Sequence, residues 1–99
     1  MGWATVHISK LTAGETIQIR PKGGSMVGRI NSGDLCTVVP VTREIEKGDI
    51  VLCRVGRAQY LHLVSAIKNG RFQISNNKGH VNGWIGPDNI YGICISVEP

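Results

Sequence analysis

The sequence predicts an all-β fold: one small domain over residues 1–99, arranged as a coiled or barrel-like sheet of about six to eight short strands. Three observations carry that expectation. The dominant hydrophobic period is two, which is the pattern of half-buried strands. Turn chemistry recurs between the apolar runs, with 13 glycines in the 99 residues. No stretch keeps a helical apolar spacing over about ten residues, and Arg43–Lys47 holds one helical turn at most.

Taken in order, the segment up to Thr16 reads as strand, and Thr16–Arg20 alternates Ile17 and Ile19 against polar neighbours. Lys22-Gly23-Gly24 ends that run, and Ser32-Gly33-Asp34 turns the chain into the valine-rich strand Leu35–Val41. Lys47-Gly48-Asp49 opens Ile50–Val55, and Tyr60–Ile67 follows. Asn69-Gly70 then predicts a hairpin into Arg71–Ser75, because both central positions of its turn need positive φ. Lys78–Trp84, around His80, reads as an exposed loop. Gly86-Pro87-Asp88-Asn89 is a turn before the last strand, Ile90–Val97, which is either core or a pairing edge. In Tyr60–Val64 the two leucines share one face and Tyr60, His62 and Val64 the other. With the leucines inward, His62 points into a cleft or solvent.

Composition narrows the function classes. At 41% hydrophobic and 18% charged residues, disorder and collagen-like repetition are excluded. No apolar run approaches the ~18 residues of a membrane span, and Met1–Thr5 lacks the blocks of a signal peptide, so a cytoplasmic protein without membrane contact is expected. Eleven Lys/Arg against seven Asp/Glu give +4, but the basic residues are dispersed, so nucleic acid is only a weak candidate partner. The three cysteines, Cys36, Cys53 and Cys94, sit in separate apolar runs without CxxC spacing, as buried free thiols of a reducing compartment do. The spacing of His7, His62, His80 and the cysteines matches no metal-ligand pattern, so no metal and no cofactor is expected. Trp3 and Trp84 are candidate exposed aromatics, Trp84 equally a core residue.

The stretch with chemistry in it is Lys22-Gly23-Gly24-Ser25-Met26. A serine after two glycines at a strand end presents its hydroxyl while neighbouring backbone N–H groups stay unobstructed. Those are the needs of an acyl-transfer nucleophile and its oxyanion site.

Gly24-Ser25-Met26, followed by Ile30, Gly33-Asp34, a valine-rich strand, Gly48-Asp49-Ile50-Val51, Tyr60-Leu61-His62-Leu63-Val64, Ile74-Ser75-Asn76-Asn77 and Ile90-Tyr91-Gly92, resembles the LexA-type repressor and signal-peptidase superfamily from about residue 14 to 97. The resemblance implies that fold and a serine peptidase acting on a peptide or protein substrate. It puts Ser25 on the nucleophile and the Gly24 and Ser25 N–H groups on the oxyanion site. Where many members have a lysine base, this chain has His62, similar to the histidine-bearing branch of signal peptidases. Lysine must be desolvated to lose its proton near neutral pH, whereas histidine is already poised.

The chain also departs from that pattern. Asn76, Asn77 and Asn82 stand where the histidine branch has acidic residues. An asparagine such as Asn82 orients an imidazole without balancing its charge. Gly28 replaces the usual proline, which loosens the turn after Ser25, and Asp88 is a turn residue rather than a third catalytic member. His80 is a second, exposed candidate base. The segment before Ser25 lacks a helix-turn-helix. Self-cleavage at Ala13–Gly14, which resembles the bond that self-cleaving members cut, would consume the Thr16–Arg20 strand. The alternative function is a catalytically inactive β module of the same fold that binds protein or nucleic acid. Oligomeric state is left open.

Overall fold

A computed structural model describes residues 2–99. Helix α1 (Thr5–Thr12) precedes β1 (Ile17–Ile19), β2 (Leu35–Pro40), β3 (Ile50–Val55), β4 (Ala58–Lys68), β5 (Arg71–Ser75) and β6 (Val81–Ile85), and a 3-10 turn (Pro87–Asn89) leads into β7 (Ile90–Glu98). The seven strands form one sheet in the order β1-β2-β7-β3-β4-β5-β6, every pair antiparallel. The sheet is open, with β1 and β6 as its outer strands. β7 lies between β2 and β3: Gly92 and Ile93 pair on both sides, while Cys94, Ser96, Val97 and Glu98 pair with β2 alone.

Side chains alternate across this sheet into two cores. On β3, Ile50 and Leu52 enter a core with Leu11, Met26, Val38 and Leu61. Val51 and Cys53 enter the other, with Val64, Ile74, Ile85 and Ile93. A strand covered on both faces needs no polar alternation, which is why Ile50–Cys53 is unbroken apolar sequence. Each such side chain contributes about 1.5–3 kcal/mol of transfer free energy. At the β4–β5 hairpin, Asn69 and Gly70 take φ of 52° and 72°, and Lys68 pairs with Arg71.

The structure corrects two expectations. The residues before Thr16 form α1, not a strand. Eight residues are barely two turns, too few for helical spacing to register, and Thr5, Val6, Ile8 and Thr12 weigh toward strand. Burial overrides that preference, because Ala4 and Leu11 are sealed into the first core with Ile8 packed beside them. Ala13-Gly14 caps this helix: the Gly14 N–H donates to Leu11 O at 3.0 Å and the Glu15 N–H to Lys10 O at 2.9 Å. Gln59, at the start of β4, ties down the other end. Its Oε1 accepts from the Ala4 N–H at 2.9 Å, and its backbone carbonyl accepts from Trp3 Nε1 at 3.1 Å.

The second correction is β6, which replaces part of the expected loop. Asn82 and Gly83 dilute its strand signal, but β5 supplies a partner, with Phe72 opposite Ile85 and Ile74 opposite Gly83. The register then shifts, and Ser75 faces Val81. Asn82 is left without a cross-strand partner, and a bulge of this kind re-aims a side chain.

Candidate active site

Ser25 stands in the β1–β2 loop, exposed between two buried anchors of the first core, Met26 and Ile30. The Ile30 N–H donates to Met26 O at 2.7 Å, closing a single helical turn behind the serine. Asn77 of the β5–β6 loop clamps the turn. Its backbone N–H donates to Ser25 O at 2.9 Å and its side-chain Nδ2 to Val27 O at 2.8 Å. Gly28 has φ +98°, and a Cβ there would sit 3.1 Å from Asn77 Nδ2. Proline, fixed near φ −65°, cannot follow this path. The turn takes a different route, held by Asn77.

His62 reaches Ser25 from β4. Its Nε2 is 3.2 Å from Ser25 Oγ, and its Nδ1 is 2.8 Å from Asn82 Oδ1. The amide oxygen only accepts, so Nδ1 carries the proton. Nε2 therefore presents its lone pair, and the Ser25 hydroxyl donates to it. The Tyr60 ring stacks on the imidazole, with centroids 4.6 Å apart and planes at 28°.

Both faces of β4 are covered, so the histidine is not turned to solvent. It is 6% exposed. Burial pushes its pKa below the ordinary histidine value; the Asn82 acceptor works in the opposite direction, and nearby His80 adds to the lowering. The imidazole is consequently neutral at neutral pH.

Ser25 and His62 line a cleft of about 600 Å³. One wall is α1 with Trp3 and His7, another is Gln18–Arg20 from β1 and the residues after it, and the third is Gln59–His62. Among the described residues, the N–H groups of Gly24 and Ser25 donate to no acceptor in the protein.

Other sequence candidates fall elsewhere. His80 is exposed, its N–H donating to Asn76 Oδ1. Asp88 is exposed on the 3-10 turn. Cys36 and Cys53 are buried, while Cys94 is only partly so, and all three are free. Trp3 and Trp84 are 54% and 40% exposed. Ala13–Gly14 forms the helix cap and does not line the cleft. Two site residues escaped the sequence reading. Tyr60 shares a strand face with His62, and that two-residue spacing is a usable signal for stacking; Asn77 had no local signal, since its clamp spans 50 positions.

A family model described as Peptidase S24-like matches residues 4–92. No curated protein and no solved structure matches the chain. No helix among the described residues is long and apolar enough to cross a membrane.

Proposed function

The chain belongs to the Peptidase S24-like family, and from that premise we propose that it hydrolyses peptide bonds with Ser25 as nucleophile, His62 as general base and Asn82 as the residue that orients the base. The observation that carries this reading is the imidazole held at both nitrogens, 3.2 Å from Ser25 Oγ and 2.8 Å from Asn82 Oδ1. An extended substrate adds along β1, an outer strand whose residues Gln18 and Ile19 line the cleft.

Ser25 Oγ attacks the scissile carbonyl carbon while its proton passes to His62 Nε2. The new oxyanion accepts from the Gly24 and Ser25 N–H groups. Collapse breaks the C–N bond, and His62 returns the proton to the departing amine. A water then attacks the Ser25 ester, its proton taken by His62, and His62 returns that proton to Ser25 Oγ as the acyl C–O bond breaks and the acid product leaves. Asn82 holds the Nδ1–H tautomer through the cycle, a role asparagine also fills in cysteine proteases of another fold.

The test is labelling by a fluorophosphonate, which bonds to activated serines, followed by peptide mass mapping. Wild-type protein is expected to be labelled on Ser25, Ser25→Ala not at all, and His62→Gln at least about a hundredfold more slowly. Labelling at equal rate in wild type and His62→Gln overturns the assignment of the base. The second reading, an inactive binding module, is favoured by the amide at position 82, which cannot balance an imidazolium. An unlabelled Ser25 in folded wild-type protein selects it.

A further inference from the structure

The cleft around Ser25 is built with one sign of charge. Arg20 and Lys22 line it beside β1, and His7 faces it from α1. Lys78, on the loop that clamps the serine, brings Nζ to 3.8 Å from the point where a Cβ on Gly24 would stand. No Asp or Glu lines the cleft among the described residues. The only ion pair among them, Arg43–Asp49, leaves Arg20, Lys22 and Lys78 without a carboxylate partner. Asp34, the acid nearest to Ser25 in the sequence, does not line the cleft and accepts from the Asn31 N–H at 2.8 Å.

One contact positions the cationic wall, and one polar atom of a lining residue lacks a partner. Arg20 Nη1 donates to Gly33 O at 2.8 Å, which fixes the guanidinium and leaves its other N–H groups for a ligand. His7 Nδ1 is buried and has no hydrogen-bond partner among the described residues. A buried polar atom without a partner costs free energy.

Resting on the peptidase reading above, we propose that the cleft selects anionic peptide: a substrate segment with Asp or Glu side chains near the scissile bond, its carboxylates held by Arg20 and Lys22. The extended backbone occupies the β1 edge, and alternate side chains of such a strand fall toward the cationic wall. The cleft favours peptide over nucleic acid because its floor is apolar, with Ile19, Met26 and Ile30.

The experiment separates selection from catalysis. Fluorescent peptides with the same core and either Glu or Gln flanks are titrated against Ser25→Ala protein, which cannot turn them over. The Glu peptide is expected to bind about tenfold more tightly at low salt, as two carboxylate contacts at a partly open site provide. That preference should fall below threefold in Arg20→Gln/Lys22→Gln and should shrink as salt is raised. C-terminally amidated and free-acid versions distinguish side-chain from terminal carboxylates. Equal affinity for Glu and Gln peptides overturns the proposal. So does a short single-stranded oligonucleotide that binds more tightly than the Glu peptide. Wild-type hydrolysis of the same pair is measured separately. Charge-selective binding without any hydrolysis refutes the peptidase reading while leaving the ligand class standing.

Discussion

Replacing Asn82 with aspartate tests the site through the residue that holds its base. The carboxylate would face His62 Nδ1 from the position of an acceptor now 2.8 Å away. With the charge centres about 4 Å apart, an effective dielectric of about 20 gives roughly 4 kcal/mol of attraction to an imidazolium. Asn82 is half-buried, so a carboxylate there loses hydration of its own, and about half of that attraction survives. Roughly 2 kcal/mol corresponds to a rise of about 1.5 units in the His62 pKa. The imidazolium forms as the acyl-enzyme does, so kcat should rise about tenfold above the new pKa. The gain stays modest because Asn82 already enforces the productive tautomer, the main loss when a catalytic aspartate becomes asparagine elsewhere. The His62 ring signals, followed by NMR from pH 4 to 9, read the pKa directly, and the acid limb of kcat/KM should move with it. An unchanged or lower His62 pKa in Asn82→Asp would show that residue 82 does not face the imidazole in solution.

Gly28→Ala forces a side chain into φ +98° and against Asn77 Nδ2. A loss of about 1–2 kcal/mol in urea unfolding is expected, together with slower labelling of Ser25, and an unaltered midpoint contradicts the turn geometry. Burial lowers the His62 pKa in the folded state, so unfolding takes up a proton as the solution is acidified. The His62 contribution to stability is full above the ordinary histidine value of about 6.5 and is lost as pH falls through the lower folded value. Wild type should therefore lose stability in that window relative to His62→Gln, and parallel curves refute the assignment. The thiols should differ as well. Burial pushes Cys53 up to about 12 and, with Cys94 alongside, Cys36 up to about 11, so an aromatic disulfide reagent should modify the partly exposed Cys94 first. Prior reaction of Cys53 would mean that the second core opens.

Strands were legible wherever a local period or a turn fixed them. Ile17–Ile19, the Asn69-Gly70 hairpin and the Gly48-Asp49 entry to β3 each depend on a few adjacent residues, and the elements lie where those signals put them. α1 and β6 depend on distant partners instead. Leu11 makes a helix of its segment only by reaching a core formed with Val38 and Leu52, and Asn82 lies in a strand only because β5 is beside it. The site divides in the same way. Motif order points to Ser25 and His62, and an amide in place of an acid to Asn82 as the orienting residue, while the geometry that joins the three depends on a bulge in β6 and on the Asn77 clamp. Neither leaves a mark in the local pattern.

The catalytic and selective halves of the proposed site share one electrostatic logic. None of the groups placed against His62 carries negative charge: Asn82 is an amide, Tyr60 a neutral ring and Ser25 a hydroxyl. His80 adds repulsion when charged. The imidazolium of the transition state therefore lacks the carboxylate that usually balances it. A substrate bringing its own acid into the cleft supplies that charge. At about 8 Å and an effective dielectric of about 40, one carboxylate is worth about 1 kcal/mol to the imidazolium, or about fivefold in rate. The preference for Glu over Gln peptides should then appear in kcat as well as in KM, because the interaction strengthens as the proton reaches His62. It should also fade in Asn82→Asp, where the protein provides the charge itself. A preference confined to KM, unchanged by Asn82→Asp, would mean that the acids serve docking alone and that His62 works without electrostatic help from its substrate.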